Sequence, residues 1–393
     1  MVRSSLVPTS AEKRSISYCV LLVVLVLFAL LYLMRSAGTP DFKALYRSGK
    51  VVLAQHGHAP ESDAVREEMR KADTLHAPVE MLIFAPLALL SYRAAYLVWF
   101  CCNLLMLLCV PALLWNHLPN LHRWFHYLLI LIASFFPALV CLLQGQDSIL
   151  LLFLLTCCYV CLSTGREFRA GALLAMGMYK FVLVVPIVLA LALNRRWRAL
   201  GGFASGCVAL LGASIGLVGW AGVMGYVQMI LGLSKRPPEV RGSEVFMPNL
   251  RGFFHSLGSG VVPEKWLVVA TLLVSVAIWV AVNRRLRTVG ASELDLYFSM
   301  QVIVAVAVSY HLYPHDAVIL ALPLLLMLNR CADLGFGTPP GRTFAITAFA
   351  IYVCPLISPP RISMPIVFCA CMGMLMGLYL SVRERAFLRF NLN

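Results

Sequence analysis

Apolar runs of about 20 residues recur from one end of the chain to the other, and they limit the folds that it can adopt. A helix of that length crosses the hydrocarbon core of a bilayer, which is about 30 Å thick. Of the 393 residues, 61% are hydrophobic and 13% are charged, and a soluble domain, with about 45–50% apolar residues, could not bury this excess. The sequence therefore predicts an all-α integral membrane protein, a polytopic helical bundle that forms a single domain over residues 1–393.

The segments that are long and apolar enough to cross or enter the membrane are spread over the whole chain. They are residues 16–34, 94–114, 124–143, 147–163, 170–193, 199–221, 264–282, 293–310, 315–329, 342–357 and 363–381. The first segment resembles a signal peptide, but no small-residue cleavage site follows it, so we expect an uncleaved signal anchor. Residues 78–91 contain Pro86 and would reach only about 21 Å as a helix, so we expect them to lie in the membrane interface.

Two basic stretches decide how residues 170–193 are arranged. GREFR at 165–169 precedes this segment and NRRWR at 194–198 follows it, and the positive-inside rule places both in the cytoplasm. A single span would separate them, whereas two short limbs would keep them on one side. We adopt the two limbs, which gives about 12 membrane segments in the cell inner (cytoplasmic) membrane, with both termini in the cytoplasm. Residues 35–93, with interfacial helices, and residues 222–263 then form the large extracytoplasmic loops.

The composition excludes several classes of partner. The chain carries 32 Lys and Arg, 18 Asp and Glu, a formal net charge of +14, and 13 cysteines. The basic residues lie mostly in short loops between apolar runs, which membrane topology explains without nucleic acid. Nearly all cysteines lie inside apolar runs, where we expect them to pack as small apolar residues and not to form disulfides or bind metal. No P-loop or GxGxxG sequence is present, so we expect neither a cofactor nor a soluble nucleotide donor.

This threading of the chain brings several polar motifs to one extracytoplasmic face. They are Asp41, QGQD at 144–147, Lys180, the stretch Asn249–Arg251 and HLYPHD at 311–316. Ionisable groups near membrane depth are costly, so their convergence predicts a site that faces water or lipid headgroups. A reaction at this face needs an activated donor that reaches it without a soluble nucleotide, and a lipid-linked donor meets that need.

Asp41 lies in TPDFKALY, shortly after the first apolar run. One interpretation is a helix N-cap, a role that either Thr39 or Asp41 can fill for the segment that follows. The other interpretation is a general base, because a carboxylate held at the headgroup level can accept the proton of a hydroxyl group. The sequence leaves both roles open, and one residue can serve in both.

The motif HLYPHD places His311, His315 and Asp316 around Pro314. A metal site is disfavoured because Pro314 interrupts helical spacing and no fourth ligand is evident. Imidazoles that bind a phosphate or position a hydroxyl group fit the motif better. Lys180 is a lone cation in its apolar segment, where it either extends to the interface or neutralises a lipid phosphate.

Several short motifs occur in an order and spacing that are typical of one family of membrane enzymes. They are PDF at 40–42, APLALL at 85–90, Trp99 with Asn103, GQD at 145–147 in place of the usual GQ-x-N, AGALLAMGMYKFVLVVP at 170–186, NRRWR, MPNLRG at 247–252 where the family often has N-x-S-x-x-G, and SYHLYPHDAVILALP at 309–323. Together they resemble glycosyltransferase family 87, whose members are polyprenyl-phosphate-sugar-dependent mannosyltransferases of the GT-C superfamily. The resemblance covers most of the chain between residues 38 and 328.

The resemblance implies a GT-C fold with an extracytoplasmic active site and a polyprenyl-phosphate sugar as the donor, with mannose as the first candidate sugar. It also implies an inverting, metal-independent transfer to a hydroxyl group of a lipid or glycan acceptor, with an Asp of the first outer loop as the base, which corresponds to Asp41. Membrane lipids are the expected surroundings. We predict Lys180, Arg251, His311 and His315 as ligands of the donor phosphate, and Tyr46, Gln144, Gln146, Asn249 and Asp316 as acceptor- or sugar-binding residues.

Two other functions compete with sugar transfer. A flippase or transporter of lipid-linked sugars would place polar residues through the midplane of the bundle and show inverted repeats. The ionisable groups here cluster at one face, and no repeat is visible in the sequence. A non-catalytic scaffold of polysaccharide assembly is the other alternative. Sugar transfer is the favoured function.

Overall fold

The computed structural model describes residues 40–55, 77–232, 244–286 and 293–391, and these residues form helices and the connections between them. The predicted span at 16–34 lies outside the described residues, as do parts of the predicted loops 35–93 and 222–263. The twelve cysteines of the described part are all free thiols.

The described part contains fifteen α-helices. They are α1 Pro40–Gln55, α2 Pro78–Phe84, α3 Tyr92–Leu113, α4 Phe125–Ala133, α5 Phe136–Gln144, α6 Ser148–Ser163, α7 Glu167–Met176, α8 Phe181–Leu193, α9 Trp197–Gly232, α10 Leu250–Gly258, α11 Glu264–Leu286, α12 Leu294–Val308, α13 Ala321–Leu334, α14 Pro339–Ile357 and α15 Pro360–Asn391. Short 3-10 helices connect some of them, at Leu87–Leu89, Trp115–His117, Pro119–Trp124, Gly177–Lys180, Glu244–Phe246 and Asp316–Leu320. α9 is interrupted at Gly219, where φ is 68°.

Seven stretches of the described helices are long and apolar enough to cross a membrane. They are Tyr92–Leu113, Glu167–Leu193, Trp197–Gly232, Glu264–Leu286, Asp316–Leu334, Pro339–Ile357 and Pro360–Ser381. The stretch Pro119–Ala133, which ends with α4, meets α5 at a bend of 54°, and the two form an eighth span if they are counted together. The prediction of an all-α, multi-pass membrane protein is confirmed at this level, while the total of about 12 segments and the GT-C arrangement stay predictions.

The stretch Glu167–Leu193 doubles back on itself. By length and composition alone it qualifies as one span, but Nη1 of Arg196 lies 2.7 Å from Oε1 of Glu167. A straight helix over this stretch would hold its two ends about 40 Å apart, so the chain must turn back between α7 and α8. The 3-10 helix Gly177–Lys180 forms the turn and places Lys180 at its tip. The predicted two limbs are therefore confirmed, and the two flanking basic stretches lie on the same side.

α7 packs backbone to backbone against the first half of α9. A Cβ atom at Gly171 would lie 1.8 Å from the carbonyl oxygen of Ala199, and one at Gly202 would lie 1.9 Å from that of Phe168. No side chain fits at such distances, and small residues are what allow membrane helices to approach this closely. Two glycines, one on each helix, thus hold the first limb of the fold-back against its neighbour.

α12 forms the centre of the bundle. Its side chains from Leu296 to Ala307 are all buried, and a helix that is buried all round has neighbours on every side. Gln301, near its middle, donates a hydrogen bond to Oδ1 of Asn283 on α11 at 2.9 Å, because a buried amide needs a partner. α12 ends at Val308, so the residues that follow it, 309–316, reach the end of the bundle at which Lys180 lies.

The contact between α7 and α9 predicts a difference between two glycine substitutions. Gly202→Ala would force the two backbones apart, at an expected cost of about 1–3 kcal/mol in the free energy of unfolding. Gly212→Ala is the matched control, because it lies on the same helix and its Cβ would meet nothing within 4 Å. Thermal unfolding of the two purified variants in detergent measures the difference. Equal melting temperatures would contradict the close packing seen here.

The fold-back makes a prediction about accessibility. Arg166→Cys and Arg196→Cys should react with a membrane-impermeant maleimide from the same side of the membrane, because the Glu167–Arg196 ion pair joins the two loops. Ser259→Cys, in the exposed loop that follows α10, should react from the opposite side. Labelling of the Arg166→Cys and Arg196→Cys variants from opposite sides would show that the stretch between the two positions crosses the membrane once.

Candidate functional site

Connections at one end of the bundle bring most of the predicted polar residues together. They are the turn between α5 and α6, the 3-10 turn Gly177–Lys180, the segment that leads into α10, and residues 309–316 after α12. Asp41, on α1, adds to them. The side of the membrane on which this end lies stays a prediction.

Lys180 lies between two buried carboxylates. Its Nζ is 2.9 Å from Oδ1 of Asp147 and 2.8 Å from Oδ1 of Asp316. The contact with Asp316 also has hydrogen-bond geometry, whereas that with Asp147 is an ion pair without it. Buried charges persist only when they are paired, and removing one partner of such a pair costs about 3–5 kcal/mol. The ammonium group therefore fixes the start of α6, the tip of the fold-back and the end of the 309–316 segment to one another.

The Asp316 carboxylate accepts hydrogen bonds in addition to its ion pair with Lys180. Ser148 donates its hydroxyl to Oδ1 at 2.8 Å, and the backbone N–H of Tyr313 donates to Oδ2 at 3.0 Å. Nε2 of His315 lies 3.6 Å from the same Oδ2. Because both carboxylate oxygens accept hydrogen bonds, the side chain has one orientation and stays ionised.

Asp147 is in a less favourable environment. The carboxyl group of Glu80, on α2, lies against it, and both side chains are buried. Burial raises the pKa of the Asp147 carboxyl to about 7 against the opposing effect of Lys180, and the Glu80 carboxyl adds to the rise. Glu80 also accepts a hydrogen bond from the backbone N–H of Ala77 at 3.3 Å. Two carboxyl groups in contact are stable when they share a proton.

The two histidines of HLYPHD face the same cluster. Nδ1 of His315 lies 3.0 Å from Oε1 of Gln144, at the end of α5. Burial lowers the pKa of His315, although the nearby Asp316 opposes this, and burial likewise lowers the pKa of His311. The lowered pKa values favour the neutral imidazole, in which one ring nitrogen is a donor and the other an acceptor. Tyr313 lies between the two histidines in the sequence, and burial raises its pKa to about 12.

The packing of Phe42, the residue after Asp41, brings Asp41 to this cluster. Phe42 is fully buried, and a Cβ at Gly145 would lie only 2.8 Å from that of Phe42, so the aromatic side chain packs directly on the turn between α5 and α6. Gly145 has a φ of 66°, which favours glycine. The Asp41 carboxylate lies near enough to His315 and Tyr313 to act on both electrostatically, although burial is the main influence on the pKa of each.

The start of α1 bears on the first of the two roles considered for Asp41, that of an N-cap. The helix begins at Pro40, so Asp41 lies inside the first turn and is not the N-cap. Proline is favoured as the first residue of a helix, and an acid in the first turn interacts well with the helix dipole. The N-cap interpretation of Asp41 is therefore wrong, because a cap at position 41 requires the helix to begin at position 42, two residues later than it does.

Arg251 lies in the first turn of α10. Its Nη2 is 2.8 Å from Oε1 of Glu244, its Nη1 donates to the carbonyl oxygen of Tyr310 at 3.4 Å, and its guanidinium group lies 4.1 Å from the centre of the Tyr310 ring. Asn249 is the N-cap of the same helix, accepting from the N–H of Gly252 and donating to the carbonyl oxygen of Ser309 at 2.7 Å. Asn249 thus joins α10 to the segment that carries the histidines.

The other predicted residues lie at the edge of the cluster. The hydroxyl of Tyr46 donates to the carbonyl oxygen of Leu90 at 2.8 Å, which holds α1 to the segment before α3. The carbonyl oxygen of Gln146 accepts a hydrogen bond from Asn103 at 3.3 Å, and Trp99 donates to the carbonyl oxygen of Gly145 at 3.0 Å. Trp99 and Asn103 therefore support the turn, which gives these two residues of the resemblance a structural role.

The sequence motifs do not identify two acids of the cluster, Glu80 and Glu244. Glu80 lies in the segment that we expected to be an interfacial helix, and its only signal was an acid among apolar residues in PVEMLIF. Glu244 precedes MPNLRG, and nothing in the spacing linked it to Arg251. Among the described residues, no group of three or more His, Cys, Asp and Glu side chains is arranged to hold a metal ion.

The two carboxylates around Lys180 should respond differently to the same substitution. In Asp316→Asn, the new amide NH₂ group would face a hydrogen-bond donor, either the Tyr313 N–H or the Ser148 hydroxyl and Lys180, and would leave that donor without an acceptor. In Asp147→Asn, the amide can instead donate to Glu80. We therefore expect a clearly lower melting temperature for Asp316→Asn than for Asp147→Asn. Thermal unfolding in detergent checks this, and an equal or reversed order would contradict the network described above.

One comparison with known proteins identifies a family for this chain. The family model for glycosyltransferase family 87 matches residues 75–314, which is more than half of the 393 residues. The matched part includes Asp147 and Lys180 and excludes Asp41 and Asp316. No match is found among curated proteins or among solved structures. The chain therefore belongs to glycosyltransferase family 87, and it is a membrane glycosyltransferase.

Proposed function

We propose that the protein transfers a sugar, with mannose as the first candidate, from a polyprenyl-phosphate donor to a hydroxyl group of a lipid or glycan acceptor. The reaction takes place on the extracytoplasmic face of the cell inner membrane and inverts the anomeric centre. The family membership supports sugar transfer, and the absence of a nucleotide-binding motif from the sequence favours a lipid-linked donor.

One observation carries the proposal, and it concerns the ion-pair partners of the acids in the cluster. Asp147 and Asp316 are paired with Lys180, and Glu244 is paired with Arg251. Among the described residues, no ion pair involves Asp41, which is partly exposed and lies within electrostatic range of His315 and Tyr313. A general base must be free of a competing cation and must reach the hydroxyl proton, and we propose Asp41 for this role because it is partly exposed and no ion pair within the described residues engages it.

The proposed reaction is a single displacement. Asp41 takes the proton of the acceptor hydroxyl, the hydroxyl oxygen forms a bond to the anomeric carbon of the sugar, and the bond from that carbon to the phosphate oxygen breaks. The electron pair and the negative charge leave with the polyprenyl phosphate. Groups that offset this charge where it develops lower the barrier, and Arg251, His311 and His315 are proposed for this role.

Lys180 has a different part in the same proposal. Both of its carboxylate partners would be left buried and unpaired if it turned to a phosphate, so it acts on the donor through Asp316 and the adjacent His315. Gln144, which contacts His315, and Gln146 are proposed to meet sugar or acceptor hydroxyls. Tyr46, Asn249 and Asp316, which are already engaged within the protein, are proposed to shape the same sugar- and acceptor-binding surface.

Asp41→Asn tests the base. Asparagine keeps the size of the side chain and leaves the contact between Phe42 and Gly145 intact, but its amide cannot accept the hydroxyl proton. Loss of a general base costs about 10²–10⁴-fold in rate, so transfer should fall by that factor while donor binding and melting temperature stay close to those of the wild type. The assay is transfer of label from radiolabelled polyprenyl-phosphate mannose to a membrane lipid extract by the purified protein.

Asp333→Asn is the matched control, because it makes the same chemical change at an exposed acid near the end of α13. It should transfer at the wild-type rate. If Asp41→Asn also transfers at that rate, Asp41 is not the base, and His311, His315 and Asp316 become the next residues to test.

A further inference from the structure

We propose that Glu244 and the phosphate group of the donor are alternative partners of Arg251, so that the Glu244 carboxylate sets how tightly the protein binds its lipid phosphate. The proposal rests on the proposed function in one respect, which is that a phosphate binds at Arg251. It adds a residue that tunes donor affinity and that neither the sequence motifs nor the family match assigns.

The contact between Glu244 and Arg251 has the geometry that a phosphate bound to the same guanidinium group would have. Glu244 presents Oε1 to Nη2 of Arg251 at 2.8 Å. A guanidinium group binds carboxylate and phosphate oxygens through the same planar fork. A phosphate oxygen at this nitrogen would therefore take the place of Oε1, and the two anions cannot both occupy it.

The Glu244 carboxylate lies where the donor phosphate is expected. It is close enough to His311 and Tyr313 to act on both electrostatically, as Arg251 also is. His311 is one of the proposed phosphate ligands, so the carboxylate and the phosphate share their surroundings as well as their partner. Like charges at such a distance repel each other, which makes binding of the phosphate and departure of the carboxylate a single exchange.

Of the two cations in the cluster, Arg251 is the one that can change partners. Lys180 has two buried carboxylates, and one of them also accepts hydrogen bonds from Ser148 and Tyr313. Among the described residues, Arg251 is the one ion-pair partner that the structure shows for Glu244. Opening this pair leaves a single carboxylate, at the edge of the cluster, to be hydrated.

The backbone of Glu244 and the side chain of Arg251 are held by contacts that do not involve the Glu244 carboxylate. A Cβ at Gly252 would lie 2.8 Å from the carbonyl oxygen of Glu244 and 2.0 Å from that of Met247, so the 3-10 helix Glu244–Phe246 is packed tightly against the start of α10. The Arg251 side chain is held independently by the ring and the carbonyl oxygen of Tyr310. A rotation of the Glu244 side chain therefore exposes Nη2 without displacing the guanidinium group.

Removing the charge of Glu244 should strengthen phosphate binding. A ligand that binds only the open form has its affinity reduced by the fraction of protein in that form, so a pair that is closed in about ten molecules for each open one weakens binding about tenfold. We expect Glu244→Gln to bind a sugar-free polyprenyl monophosphate about tenfold more tightly than the wild type does. The measurement is the dissociation constant in detergent micelles, with the corresponding polyprenol as the phosphate-free control lipid.

Two further variants separate the explanations. Glu167→Gln is the matched control, because it removes an acid of another, partly exposed ion pair, with Arg196 at 2.7 Å, and it should leave the dissociation constant unchanged. Glu244→Ala should strengthen binding as Glu244→Gln does. If both Glu244 variants bind the lipid equally well or more weakly, or if both fail to fold, Glu244 serves only to position Arg251 and the proposal is overturned.

Arg251→Gln distinguishes failure of this proposal from failure of the proposed function. Weaker binding by Arg251→Gln, with no gain in the Glu244 variants, would leave the phosphate at Arg251 and remove only the competition. Wild-type binding by Arg251→Gln would remove both the phosphate assignment and the competition. Tighter binding in the Glu244 variants together with weaker binding in Arg251→Gln is the result that we expect.

Discussion

The ammonium group of Lys180, held between the carboxylates of Asp147 and Asp316, is the interaction on which this end of the molecule depends. It joins three parts of the chain that are far apart in sequence, and all three charges are largely buried. An unpaired charge at such a depth costs several kcal/mol, so the Lys180 ammonium group requires carboxylate partners, and Asp316 requires Lys180. The tip of the fold-back cannot withdraw, and residues 309–316 cannot shift, without breaking this arrangement.

The rest of the site is built outward from that contact. Asp316, fixed by Lys180, Ser148 and Tyr313, lies against His315, and His315 contacts Gln144. The turn after Gln144 receives the buried ring of Phe42, which brings α1 and its acid to the cluster. The polar side chains therefore form one connected network around a bundle whose centre, α12, is almost entirely apolar. This division suits an enzyme that works at the boundary between lipid and water.

The roles proposed for the site follow from which charges are already balanced. Lys180 is fully engaged, so it orders the site and does not serve as the first ligand of a phosphate. Arg251 has a single exchangeable partner in Glu244, and Asp41 has no ion-pair partner among the described residues. Membership of glycosyltransferase family 87 gives the class of reaction. The role assigned to each residue is a proposal that rests on these contacts.

The sequence by itself determined the class of fold, because apolar runs of membrane length and basic residues in short loops leave few alternatives. It also favoured the fold-back around Lys180, since two limbs keep GREFR and NRRWR on one side and a single span does not. It identified most of the polar residues of the site through a few motifs and a family resemblance. These are local patterns, and local patterns can be seen in a single chain.

Only the tertiary structure decided which of those residues face one another. Lys180 was predicted to meet a phosphate, and its two carboxylate partners could not be foreseen, because residues 147, 180 and 316 are joined by packing and not by any spacing in the sequence. Glu80 and Glu244 went unnoticed for the same reason. The start of α1 at Pro40, which removes Asp41 from the cap position, differs by two residues from the start that a cap at Asp41 requires, and propensities do not resolve helix ends that finely. Pairing of buried charges is a property of the assembled bundle. For this reason the sequence indicated which residues belong to the candidate site, but it could not predict the contacts among them.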